Sequence, residues 1–509
     1  MKYYSHFIVL IALSFFMSNC DNEKVLMNEW EEIDHTGTSI DTFSLLDGFV
    51  EYPSFAIIDS LILIKVPNQG NLKKLRAVFS HNGKDVFVNK VRQISGETEN
   101  DFSDPTQPVI YTVVSSEGKS KNYAIELFDI PVICLNTDNN TPIQNREEWI
   151  PAKIKIVEDY GKLFECDLLV KGRGNGSWTN NNDKRGYSIK FDSKETLLGL
   201  PKSKRWALLG QTSDWTKIRS ALCYKLSSIA GFDWTPYGYN VEFVLNDSLR
   251  GNYFLSEVIR VEKNRINIQE MAPADTIGEA LTGGVLFEVS SDYDEQYKFR
   301  TDIGDYPFMF QNPDKNLHPK QFEYFKNYIN TLEEILYSDE RLMSCEYHNY
   351  MNIDTFIRWW LVNELTLNME ESWFVKNYYM YKDRGYDKKL TAGPPWDFDW
   401  GTFWKKNERT WLCKEKFWYG RLFTSPQFVL RVKDIWKEFK DSYVRNNMDS
   451  FYNTIKNYNK FSVTRDHYLF PFKEVGNEDD GMLYEDACQY IKAVFDNHML
   501  WMDEEISKM

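Results

Sequence analysis

The hydrophobic period of the chain changes partway along its 509 residues, and that change limits the possible folds more than any single motif does. From Phe49 to about Val132, apolar residues recur in short alternating runs, among them Leu61 to Val66, Leu75 to Phe79, Val86 to Val88, Val109 to Val114 and Tyr123 to Phe128. Turn signals such as Asn68-Gln69-Gly70 and His81-Asn82-Gly83 separate them. Side chains alternate across a strand, so period-two runs punctuated by turns predict a small all-β sandwich. Beyond Pro131 the pattern mixes. Strands are predicted at Lys153 to Ile156, Asp167 to Lys171, Tyr187 to Phe191 and Trp206 to Leu209, then a helix from about Lys217 to Ala230. A hairpin follows through Val241 to Leu245 and Tyr253 to Val258. Ile353, Phe356, Ile357, Trp360, Leu361 and Leu365 fall at helical spacing, and late helices are predicted near 427–458 and 481–505. The predicted fold class is therefore multidomain, an N-terminal all-β sandwich over 46–130 followed by an α+β domain over 131–509.

Charge excludes one class of partner. With 60 basic against 75 acidic side chains the formal charge is −15, so no nucleic acid is expected to bind the surface at large, and any anion site must be built locally. The N-terminus reads as an export signal over 1–20: Lys2, the apolar run Phe7 to Met17, then Ser18, Asn19 and Cys20. That run is too short to span a bilayer. A Cys in this place resembles the lipobox of bacterial lipoproteins, although Asn19 departs from the small residue usual before it. The resemblance implies lipidation of Cys20, and Asp21, Asn22 and Glu23 resemble a surface-export signal. The expected location is the bacterial outer membrane and cell surface, held by a lipid anchor through a polar tether over 21–45. The other six Cys show no spacing that suits zinc and read as scattered core thiols.

Ile94-Ser95-Gly96, Asp101-Phe102, Tyr111-Thr112-Val113 and Tyr123-Ala124-Ile125 resemble the immunoglobulin-like modules of bacterial surface lipoproteins. The sandwich is thus expected to be an Ig-like spacer, with carbohydrate binding as the alternative.

Two stretches carry chemistry. In the first, Lys171-Gly172-Arg173-Gly174-Asn175-Gly176-Ser177-Trp178 precedes Lys184-Arg185-Gly186-Tyr187-Ser188-Ile189-Lys190-Phe191. Three glycines in five residues let backbone amides approach an anion, and Lys171, Arg173, Lys184, Arg185 and Lys190 against Asp183 give a local charge of +4. A phosphate cradle is one reading, an ordinary Gly-rich turn the other. The second stretch runs Asn368-Met369-Glu370-Glu371-Ser372, Asn377-Tyr378-Tyr379-Met380-Tyr381 and Gly393-Pro394-Pro395-Trp396-Asp397-Phe398-Asp399-Trp400-Gly401. Phosphoryl transfer from ATP needs oxygen ligands for Mg²⁺ and a carboxylate near the acceptor hydroxyl, and this stretch holds both.

Together with Trp206-Ala207-Leu208-Leu209, Asp214-Trp215-Thr216-Lys217-Ile218-Arg219, Thr235-Pro236, Tyr253 to Glu257 and Gly284 to Glu288, the order of these blocks resembles the CotH kinase family. The resemblance implies an atypical protein-kinase-like α+β domain using ATP and Mg²⁺ on an unknown protein substrate. Residue by residue, it implies Glu370 and Asp397 as catalytic carboxylates and Asn377, Asp397 and Asp399 around the metal. Arg173, Lys184, Arg185 and Lys190 would be phosphate-binding cations, with Glu257 pairing one of them. Glu370 departs from the family, which has Asp there. The extra methylene moves the carboxylate by roughly 1.5 Å, and a misplacement of about 1 Å can cost on the order of a hundredfold in rate. Glu371 offers a second carboxylate. Two alternatives remain open: a non-catalytic surface binder whose Trp178, Trp373, Trp396 and Trp400 stack on glycans, and a glycoside hydrolase pairing Glu370 with Asp397 or Asp399 across a cation-poor cleft.

Overall fold

The computed structural model describes residues 35–179, 184–370, 376–471 and 476–509. Cys20, Asp183, Glu371 and Trp373 lie outside them. Nine strands between Ile40 and Phe128 form one sheet, and it folds over on itself. Phe43, on the first strand, meets Tyr111, on the eighth, edge to face at 5.0 Å, and Leu45, Ile62, Leu75, Val113 and Ile125 pack in the same core. The first strand is Ile40–Asp47, so it takes up the end of the segment predicted as tether.

A closed seven-stranded barrel follows. Val132–Thr137, Ile150–Val157, Leu163–Arg173, Gly186–Glu195 and Ser203–Leu209 pair in succession, Ser248–Glu257 joins the last of them, and Gly238–Leu245 closes the ring by pairing parallel to Val132–Thr137. The helix Arg219–Ala230 interrupts this order, and Asp214 steadies its start by accepting Arg219 N at 2.9 Å. A second sheet is ordered Lys298–Arg300, Pro307–Asn312, Val285–Val289, Tyr378–Lys382 and Thr391–Ala392. Around it pack the helices Pro319–Tyr337, Ile353–Leu365, Pro426–Arg445, Met448–Leu469 and Tyr484–Lys508. One helix predicted near 427–458 is thus two, because Asn447 adopts a left-handed φ of 48° and breaks it. No helix of the described residues is long and apolar enough to cross a membrane. All six described Cys are free thiols, three of them buried.

The β module is fastened to the rest. Leu63 and Phe128 of the module pack with Val132, Val157 and Val244 of the barrel. Arg465, on the helix Met448–Leu469, reaches between the two: its guanidinium pairs with Glu242 of the barrel and donates to the carbonyl of Leu127. Asn68 of the module donates to the Tyr458 carbonyl at 2.8 Å.

Candidate functional site

Between the barrel and the second sheet lies a cleft of about 640 Å³. From above, Arg173 enters at the end of the strand Leu163–Arg173. From below come Glu288, Asp292, Glu370, Asn377, Asp397 and Asp399. The local chain explains these placements. In Val285–Val289 every residue is buried except Glu288, which the strand turns toward the cleft. Asn377 and Asp397 hold left-handed backbone conformations, φ 58° and 64°. Asn and Asp tolerate that region better than other residues, and such outliers gather at functional sites. Asn368 ties the two acidic segments together: its Oδ1 accepts Glu370 N at 3.2 Å and its Nδ2 donates to the Asp397 carbonyl at 3.4 Å. Asn477 braces the other side, donating to the Asp399 carbonyl and accepting Gly401 N, each at 2.8 Å.

The carboxylates repel one another in a desolvated place. Burial, reinforced by Asp399, pushes Glu370 up to about 7. Asp397 also rises to about 7, through burial and Glu370, while Arg173 works against the rise. Asp399 is raised well above the ordinary range by burial and by Asp397. Glu288 reaches about 7 through burial, although Tyr379 hydrogen-bonds it. Asn377 Nδ2 donates to Glu370 Oε2 at 3.0 Å and fixes that carboxylate's direction. At the mouth, Asn175 of the glycine turn donates to Asp292 Oδ2 at 2.9 Å, and Lys376 pairs with Asp292 Oδ1 at 2.7 Å, so one carboxylate bridges the two walls.

The donor set fits Mg²⁺. Asp397, Asp399 and Asn377 offer hard oxygen atoms, and the like-charge strain among the acids is what a cation relieves. Among the described residues no three His, Cys, Asp or Glu side chains are already gathered into a closed metal cage. Mg²⁺ does not require one, since it is commonly held by one or two carboxylates with substrate phosphates and water.

The predicted cations do not all reach the site. Arg173 does. Lys184 is buried elsewhere, pairing with Asp466 and donating to the Asn252 carbonyl at 2.7 Å, because a fully desolvated ammonium needs a carboxylate. Arg185 lies over the Trp178 ring at 4.7 Å. Lys190 stands outside the cleft, on the barrel face near Trp149, 5.9 Å from its ring. Glu257 pairs with Arg265 at 3.8 Å and accepts Tyr237 N at 3.1 Å, so its expected phosphate-binding partner is replaced by a structural one. The glycine turn also serves packing: a side chain on Gly172 would meet the Trp178 ring at 2.5 Å and the Asn145 carbonyl at 2.7 Å. The rings proposed as glycan platforms are occupied within the fold, Trp178 by Arg185, Trp396 by Tyr224 and Arg173, and Trp400 by Trp404.

A second cavity of about 600 Å³ continues the first and shares Arg173, Tyr379 and Trp396 with it. Its lining includes Trp149, Lys171, Arg205, Arg260 and Lys315. The sequence reading missed Arg205 and Arg260 here, and Glu288, Asp292 and Lys376 in the cleft. Strand register accounts for the basic face: Lys190 opposes both Leu169 and Arg205, and Lys171 and Arg173 follow Leu169 at period two. This abundance of cations also departs from the cation-poor cleft expected of a glycoside hydrolase.

The family model described as CotH kinase protein matches residues 170–506. The search of curated proteins gives no match.

Proposed function

The chain belongs to the CotH kinase family, and from that membership we propose that it transfers the terminal phosphoryl group of a phosphoanhydride donor, ATP in the family, to a hydroxyl of a protein substrate. The observation that carries this reading is the meeting of Glu370, Asn377, Asp397 and Asp399 in one cleft facing Arg173. Asp397 and Asp399, with the amide oxygen of Asn377, would hold Mg²⁺, which supplies charge neutralisation at the donor phosphates. Glu370 faces the acceptor side. Its raised pKa, near neutrality, suits a group that takes the hydroxyl proton, and Asn377 holds the carboxylate in position to do so. Arg173 aims a fixed positive charge at the group being transferred, where negative charge spreads during the reaction. Glu288 and Tyr379 close one wall. The Glu at position 370 sets the reach of the base.

Magnesium-dependent binding, followed by calorimetric titration of ATP with and without Mg²⁺, tests the reading alongside transfer of ³²P to protein. Absence of both magnesium-dependent binding and transfer would reduce it to a likeness of scaffold. We further propose that the mature chain is a surface lipoprotein anchored at Cys20, with an Ig-like module as spacer; the support is the apolar run ending at Cys20, the acidic residues after it and the β-rich architecture of residues 40–128.

A further inference from the structure

Among the described tryptophans the fold makes use of every ring but one. Trp206, Trp359 and Trp418 are core, Trp149 and Trp178 carry cations, and Trp215 stacks on His467 at 3.7 Å. Trp234 makes no ring stacking, cation–π or hydrogen-bond contact among the described residues and belongs to none of the apolar cores, although it is part-buried. Gly231, at φ 93°, ends the helix Arg219–Ala230, Phe232 packs on the core, and Trp234 is left on the wall of a cavity of about 920 Å³. An indole kept out of the core forgoes one of the largest apolar gains open to a side chain, and such rings are enriched where another molecule is bound.

This cavity is larger than the cleft, or than the cationic annex of about 600 Å³ beside the cleft, and shares no lining residue with either. Its volume falls in the range of small-molecule sites, roughly 300–1,000 Å³. The charges around it balance: four aspartates stand against three lysines and Arg265. Burial and then Lys389 lower the pKa of His348, so that ring is uncharged near neutrality. A strongly charged ligand gains little from such a lining, which sets it apart from both the carboxylate cleft and the annex. What the lining does offer is a mixture of donors and acceptors around one flat ring. The side chains of Asn267, Asn352, Lys263 and Lys389 make no hydrogen bond or ion pair among the described residues and are open to a ligand.

A sugar ring has the matching double character, an apolar C–H face that covers an indole and a rim of hydroxyls that both donate and accept. We infer that this cavity is a saccharide-binding site, in which a neutral pyranose stacks on Trp234 while Asn267, Asn352 and the balanced charges hold its hydroxyls. The inference stands apart from the transferase reading, because the two sites have no residue in common.

The test titrates the full chain by calorimetry with neutral hexasaccharides, namely cellohexaose, xylohexaose, mannohexaose and maltohexaose, and with the anionic hexagalacturonate. At least one neutral hexaose is expected to bind with a Kd below about 1 mM, and hexagalacturonate severalfold more weakly than the best of them. Trp234→Ala is expected to weaken that hexaose at least tenfold, and Trp234→Phe, which keeps a ring, by no more than about threefold. Asn267→Ala, at an exposed position that the core does not use, is expected to weaken it severalfold. Melting temperatures of the variants establish that they fold as wild type does. Binding of none of the neutral hexaoses overturns the inference, as does a Trp234→Ala protein that melts and binds like wild type. Tighter binding of hexagalacturonate than of any neutral hexaose overturns the assignment to a neutral sugar.

Discussion

Asn377 donates to Glu370 across 3.0 Å, and the two residues stand seven apart on either side of a segment that leads into the strand Tyr378–Lys382. The bond matches the length of the Glu side chain. Shortening it in Glu370→Asp withdraws the carboxylate by roughly 1.5 Å and breaks the contact, so transfer is expected to fall by on the order of tenfold or more rather than to improve toward the family's usual residue. Donor affinity is expected to stay within about twofold. Single-turnover transfer measured with calorimetry on the same samples checks this; a faster Glu370→Asp enzyme would show that the Asn377 bond does not position the base.

Asp397 gives a pH prediction with a definite sign. Its folded pKa is raised from 3.8 to about 7, so the native state holds its proton more tightly than the unfolded chain does. The destabilisation from ionising it therefore appears as pH rises above 3.8 and is complete above about 7. Discounted for solvent in the cleft, it amounts to on the order of 2 kcal/mol. Asp397→Asn should melt higher than wild type at pH 8 and at the same temperature near pH 4. Mg²⁺ should raise the melting temperature of wild type at pH 8 and leave that of Asp397→Asn nearly unchanged.

Arg465 holds the β module to the barrel, with its charge balanced by buried Glu242. Arg465→Ala leaves that carboxylate uncompensated and should cost about 3–5 kcal/mol. Replacing both residues, as Arg465→Met with Glu242→Gln, should recover part of the loss. Urea denaturation followed by far-UV circular dichroism, which reads the module's strands as well as the rest of the chain, should show one transition for wild type. A module that unfolds separately in wild type would contradict the fastening described above.

Asp292 bridges the glycine turn and Lys376 while partly exposed. Asp292→Ala is expected to change stability by no more than about 1 kcal/mol, because solvent screens such pairs. Its effect should fall on the donor: with Asn175 released, KM for the donor rises severalfold while kcat holds within about twofold. An unchanged KM would mean the bridge does not order the mouth.

Cys20→Ser tests the anchor. The protein should leave the membrane fraction and stop incorporating labelled fatty acid. Continued labelling would exclude lipidation at that residue.

Of the acidic half, Glu288 and Asp292 were missed, while Glu370, Asn377, Asp397 and Asp399 lie in short blocks that the family resemblance made legible. The basic half was not. Lys184 looks in sequence like a neighbour of Lys190, yet the fold gives it to Asp466, 282 residues away, and nothing local announces that partner. Glu257 was drawn instead to Arg265, eight residues on, beyond the end of its own strand. Arg205 reached the annex through strand register, which period-two patterning leaves undetermined until the barrel closes. The fold's broad order was legible for the converse reason: alternation and helical spacing are local properties, whereas the break at Asn447 rests on one backbone angle.

Only Asp129, Ile130 and Pro131 separate the last strand of the β module from the first strand of the barrel, and Lys65 donates to the Asp129 carbonyl within that link at 3.2 Å. So short and pinned a joint leaves no slack. Whatever holds the N-terminal end then acts on the cleft as through a stiff handle: turning the module turns the cleft, and a pull on one is borne by the other. What the cleft can reach is set by the direction in which it points, and lengthening this joint with a few glycines would widen that field of view without altering a single residue of the site.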